Sequence, residues 1–115
     1  MKIDHVEINN LTKSFNEALI LSALSDQRLH GYQLALEVER KSEGLFLFKH
    51  GTLYPILHKL EKENLISGFW KQEGPRRKRK YYKITLKGKK RLKLMLSEWK
   101  YLFDLFLQLT GDKYK

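Results

Sequence analysis

Between Glu63 and Thr85 the chain reads ENLISGFWKQEGPRRKRKYYKIT. Gly74-Pro75 is a strong turn signal. Before it come Ile66, Gly68, Phe69 and Trp70; after it, Tyr82 and Ile84 alternate with Tyr81 and Lys83, the period-two pattern of a strand. Five consecutive basic residues, Arg76 to Lys80, follow the turn. The segment reads as a two-stranded β-hairpin with a cationic tip.

The placement of charge says more than its amount. The chain of 115 residues carries a net charge of +10. Lys71 to Lys93 holds 12 Lys or Arg and one acid, Glu73, a local charge of +11, and the rest of the chain sums to −1. Charge serving only solubility would be spread out, whereas charge confined to one hairpin points to a polyanionic partner. The competing reading is a solvated, solubilising loop. An anionic membrane surface fits less well, because surface binding usually also wants an amphipathic helix with exposed apolar bulk.

Outward from the hairpin the pattern is helical. A first helix is predicted from about Ser14, with Ser14 and Glu17 spaced as a capping box and residues 1–13 loose. Leu19, Ile20, Leu21, Ala23 and Leu24 make it apolar on more than one side, as in a core or interface helix. A second helix is predicted over 31–42 and a third over 52–63, the latter with a core stripe of Leu53, Ile56, Leu57 and Leu60. Pro55 falls in its first turn, where a missing N–H costs nothing. Thr85 is placed to cap a last helix over 86–109, roughly 36 Å long. The fold class is therefore mainly α with a two-stranded hairpin: a winged helix-turn-helix domain over 1–85, then a dimerisation helix and tail over 86–115.

Three linked motifs sharpen this. HGYQL (30–34), GTLYPILHKLEKENLI (51–66) and RKYYKITLKGKKRL (79–92) stand in order, and together resemble the PadR family of bacterial transcriptional regulators across about residues 18–96. The family's small members end, like this chain, in a single helix. Where many members have Gly, this chain has Asn64, and Asn also tolerates a left-handed helix end. The resemblance implies a sequence-specific regulator of double-stranded operator DNA, a repressor released by a small-molecule effector.

On the third helix, Tyr54, His58 and Lys62 follow at four-residue spacing and share one face. Candidate DNA contacts are Tyr32, Lys49, His50, Thr52, Tyr54, Pro55, His58 and Lys59, with Arg76, Arg77, Lys78, Arg79 and Lys80 from the hairpin. Strand side chains alternate between faces, so two or three of those five are expected on phosphate or in the minor groove. The alternative for Tyr54 is packing on the neighbouring helix.

The last helix is too apolar for one core face. Leu92, Leu96, Trp99, Phe103 and Phe106 form one stripe and Met95, Leu102 and Leu109 an adjacent one. A monomer would expose a large apolar patch, so a homodimer is expected, built on Leu19, Leu92, Met95, Leu96, Trp99, Leu102, Phe103 and Phe106. Some small PadR-like regulators resemble multidrug sensors with a tryptophan from each last helix at the interface. That resemblance makes Trp99 a candidate for stacking on a small aromatic effector, and a ligand-capturing protein with secondary DNA binding is the rival reading.

Other classes find little support. There is no cysteine, and His5, His30, His50 and His58 have no acids at ligand spacing, so no metal or cofactor is expected. No nucleophile elbow or phosphate-cradling loop is present, and catalysis is not expected. The N-terminal stretch lacks the apolar run of a signal peptide, which with the absence of cysteine leads to a cytoplasmic expectation and no membrane partner.

Overall fold

A computed structural model of the chain describes residues 8–111, with the side chains of residues 8–12 and 50 left aside. The elements are α1 (Ile8–Ala23), β1 (Leu29–His30), α2 (Gly31–Lys41), α3 (His50–Lys62), β2 (Ile66–Gln72), β3 (Lys78–Ile84) and α4 (Leu86–Thr110). The helix, helix, helix, hairpin, helix order expected of a winged helix-turn-helix is observed.

Two expectations change. Helix α1 begins at Ile8, so Ser14 is interior and caps nothing; Glu17 instead receives Lys59 of α3 at 2.6 Å. No Gly or Pro separates Ile8 from Ser14, so nothing stops the helix there. Residues 8–13 are thus helical, and 1–7, with His5, lie outside the described residues. The sheet is three-stranded in the order β1-β3-β2. Its extra strand, Leu29–His30, pairs antiparallel with Tyr82 and Tyr81. A two-residue strand shows no alternation in sequence, and only the approach of the helices to β3 creates it.

The core lies where α1 packs against α2, α3 and α4. Ile20 and Leu21 of α1, Leu34 of α2, Leu57 and Leu60 of α3, and Leu65 are fully buried. Burying a leucine contributes roughly 1.5–3 kcal/mol, against about 0–1 kcal/mol for an ion pair as exposed as Lys59–Glu17. The leucines therefore decide how α3 is rotated, and the residues between them are left to face outward.

The end of α3 sets the start of the hairpin. Leu65 N–H donates to the Leu60 carbonyl (2.9 Å) and Asn64 N–H to that of Glu61 (3.0 Å), with Asn64 at φ +62°, the left-handed Schellman stop expected of this asparagine. Thr85 then caps α4 as expected, its hydroxyl accepting from Gly88 N–H at 3.0 Å. The same hydroxyl lies 2.7 Å from the Asn64 carbonyl, and Thr85 N–H donates to the Leu65 carbonyl at 3.1 Å. Helix α4 crosses so close that a Cβ at residue 88 would stand 2.1 Å from the Leu65 oxygen. Gly88→Ala gains helix propensity but forces this junction apart, and overpacking of this kind costs about 1–3 kcal/mol. The expected outcome is a lower urea midpoint at unchanged m-value, whereas wild-type stability would show that α4 can slide away from Leu65.

Candidate nucleic-acid interface

Strand alternation divides the hairpin into two faces. Register pairs Gly68 with Tyr82, Trp70 with Lys80 and Gln72 with Lys78 on one face, and Phe69 with Tyr81 and Lys71 with Arg79 on the other. On the first face Tyr82 is buried in the core, and Lys80 reaches Glu61 of α3 at 2.8 Å. That hydrogen bond holds the Lys80 ammonium above its usual range. On the second face Phe69 and Tyr81 stack with centroids 5.9 Å apart. Arg28 lies over Phe69 at 5.6 Å and Lys71 over Tyr81 at 5.3 Å.

A cleft of about 700 Å³ opens between the hairpin and the helices, lined by His30, Gly31, Tyr32, Tyr54, Trp70, Arg77, Arg79, Lys80 and Tyr82. Five candidate contacts, Tyr32, Tyr54, Arg77, Arg79 and Lys80, meet here. Tyr54 lies across the start of α2, so close that a Cβ at residue 31 would stand 2.8 Å from its hydroxyl, and it is still 46% exposed. Packing on the neighbouring helix and presentation to the cleft are thus both realised by this tyrosine. Thr52 and His58 are exposed on α3, as are Lys49 ahead of it and Arg76 and Lys78 on the hairpin. The side chain of His50 lies outside the described residues.

Pro55 and Lys59 take a different direction. They line a groove with Lys13, Asn16 and Glu17 of α1, and the Glu17 hydrogen bond raises the Lys59 pKa. Arg79 is likewise engaged, 3.3 Å from Glu73 and 2.7 Å from His30 Nε2. Trp70, outside the candidate contacts, is 66% exposed on the cleft side of the hairpin. The available signal was its place two residues beyond Gly68 on the face that carries Tyr82.

His30 joins the interface to the core. Its Nδ1 accepts from Gln33 N–H at 3.3 Å, and Gln33 Oε1 accepts from His30 N–H at 3.3 Å, a capping box on α2. A neutral imidazole has one acceptor nitrogen, so the cap and acceptance of a hydrogen bond from Arg79 are alternatives set by the tautomer. Burial, then the Arg79 guanidinium and the more weakly acting Arg77, lower the His30 pKa, and Glu73 opposes them. Among the described residues no group of three or more His, Asp or Glu is placed to hold a metal ion, and no helix is long and apolar enough to cross a membrane.

The Transcriptional regulator PadR-like family matches residues 20–94. The chain belongs to that family. The PadR-like match spans all three motifs and leaves out the first turns of α1 and the last turns of α4. Among solved structures, a transcriptional regulator from Clostridium thermocellum is 27% identical with a TM-score of 0.75, covering 92% of this chain and 99% of its own. A PadR family transcription regulator from Clostridium difficile is 31% identical with a TM-score of 0.73, covering 84% of this chain and 99% of its own. Bacillus subtilis PadR, solved in complex with operator DNA, is 28% identical with a TM-score of 0.65; the match covers 70% of this chain and 46% of that one.

The state of His30 leads to a pH effect on this PadR-like fold. Unfolded, its imidazole titrates near 6.5, and folded it titrates lower, so the unfolded chain binds the proton more readily. Stability is then constant above that value and falls as pH drops below it. Melting temperature is expected to fall between pH 7 and 5 more steeply in the wild type than in His30→Asn, which keeps a capping acceptor without a titrating ring. Identical slopes in the two proteins would remove His30 from this account.

Proposed function

We propose that the protein is a sequence-specific double-stranded-DNA-binding transcriptional regulator, acting as a homodimeric repressor in the cytoplasm. The observation that carries this reading is the single cleft flanked by α3 and the hairpin, with Tyr54 on one side and Trp70, Arg77 and Lys80 on the other. An α-helix fits the major groove, and a basic ribbon beside it reaches the adjacent backbone or minor groove. Thr52, Tyr54, His58 and Lys62 are the contacts proposed for α3, Tyr32 and Lys49 flank it, and Arg76, Arg77 and Lys78 are those proposed for the wing. The complex of Bacillus subtilis PadR with its operator supports the assignment.

The homodimer rests on α4. Met95 is buried in the subunit's own core, and Leu19, Leu92 and Trp99 pack on it, so these four are core residues first. Leu96, Phe103, Phe106 and Leu109 are 50%, 55%, 58% and 74% exposed, and with Leu102 they form the surface proposed for the partner subunit. The division at residue 85 is accordingly one of role, with the first half of α4 folding as part of the winged domain. Two copies would present their α3 helices to half-sites about one helical turn apart. Trp99 stacks on Phe15 with centroids 5.5 Å apart, so an aromatic effector at the dimer interface would meet only its other face.

Selection of bound duplexes from a random pool tests the central claim, and a selected duplex is expected to bind far more tightly than scrambled duplex at moderate salt. Equal affinity for all duplexes would overturn it. Arg76→Ala is expected to weaken every sequence alike and to flatten the log–log salt slope by about 0.9. His58→Ala should instead cost about 1–3 kcal/mol and relax preference at one base step. For assembly, Phe103→Glu with Phe106→Glu is expected to give a folded monomer in sedimentation and to weaken operator binding; a dimer surviving both changes would place the interface elsewhere.

A further inference from the structure

Glu73 is the sole acid among the cations of residues 71–93, and at a DNA-facing hairpin an acid only repels phosphate. Its surroundings give it another use. Its carboxylate accepts a hydrogen bond from the Tyr81 hydroxyl and lies 3.3 Å from Arg79 Nε, and its own N–H donates to the Arg77 carbonyl across the turn at 2.7 Å. Arg79 continues to His30 Nε2 at 2.7 Å, a hydrogen bond in the tautomer that carries its proton on Nδ1, and the His30 ring meets Tyr81 edge-on at 5.3 Å. A chain of contacts thus runs from the wing tip to the start of α2.

The wing needs such a chain. Strand β1 pairs only with Tyr81 and Tyr82, so from Lys80 to the tip the hairpin is a two-stranded ribbon, and isolated ribbons are marginal in water. Lys80–Glu61 holds it to α3 from one face; on the other, Glu73, Arg79 and Tyr81 brace the ribbon on itself, and Arg79 and Tyr81 meet His30. The Tyr81 hydrogen bond keeps the Glu73 carboxyl below its ordinary range, so it is charged wherever DNA binds.

We propose that Glu73 and Arg79 are positioning residues: with Tyr81 and His30 they form a strut that orders the wing before DNA arrives, and Arg79 serves this strut and not a phosphate. The inference rests on the DNA-binding reading above. It predicts an effect opposite in sign to simple electrostatics, since neutralising Glu73 should weaken binding although it removes a repelling charge.

The test uses Glu73→Gln, Tyr81→Phe, which deletes only the hydroxyl, and Arg79→Gln, each first shown to melt cooperatively. In the free protein, trypsin cleavage at the Arg76–Lys80 run is expected to quicken in all three relative to global unfolding. On a selected duplex, binding is expected to weaken by about 3- to 10-fold, the cost of ordering side chains on binding, with the salt slope of the wild type retained. Unchanged cleavage, or a Glu73→Gln variant that binds as well or tighter, overturns the strut. So does a slope reduced by about 0.9 in Arg79→Gln, which would make Arg79 a phosphate contact. If the wild type itself fails to discriminate duplexes, the functional reading is lost, and the cleavage rates still decide whether the strut exists.

Discussion

The carbonyl of Leu65 accepts from Thr85 N–H at 3.1 Å, and α4 passes over it at Gly88, where a side chain would collide with it. Four elements meet within these few ångströms: α3 ends, β2 begins, β3 ends and α4 begins. The junction converts a linear order of elements into a geometry, because it sets the angle at which the hairpin and the last helix leave the end of α3. A wing basic in composition but tied elsewhere would not face the same side as Tyr54. Helix α4 released from Leu65 would not carry its exposed apolar turns away from the core at a defined angle.

From that junction the electrostatics divide into cations paired within the protein and cations left exposed. Lys59, Arg79 and Lys80 each have an acid of their own, in Glu17, Glu73 and Glu61. Arg76, Arg77 and Lys78 sit at the tip and are exposed. Pairs of this exposure contribute little to stability. Their effect is directional: Lys59–Glu17 joins α3 to α1, and Lys80–Glu61 ties the ribbon to α3. A wing carrying only cations would be self-repelling, and Glu73 within it and Glu61 beside it on α3 relieve that repulsion at Arg79 and Lys80.

Much of this was legible in the residues. The period of Leu53, Leu57 and Leu60 identified α3 and its buried side; Thr85 was recognisable as a cap, and Asn64 as a left-handed stop. The start of α1 was misplaced because a Ser-x-x-Glu spacing occurs inside helices as well as at their ends, and Glu17 is used by a lysine 42 residues away. Strand β1 escaped because two residues have no period. Trp70 was missed because an aromatic in a strand is by default a core residue, and the strand outruns the core before reaching it.

Local sequence by itself determined the four helices and the hairpin, the concentration of positive charge, the excess of apolar surface on the last helix and the family. Those properties depend on spacing along the chain, which periodicity and composition record directly. Tertiary structure alone decided which cations are paired and which are exposed, that Pro55 and Lys59 turn to α1, and that Met95 and Trp99 serve their own subunit before any partner. The reason is physical: an ion pair or a ring contact depends on distance through space; residues 73, 79 and 81 meet through the pairing of β2 with β3, and residue 30 joins them through the pairing of β1 with β3.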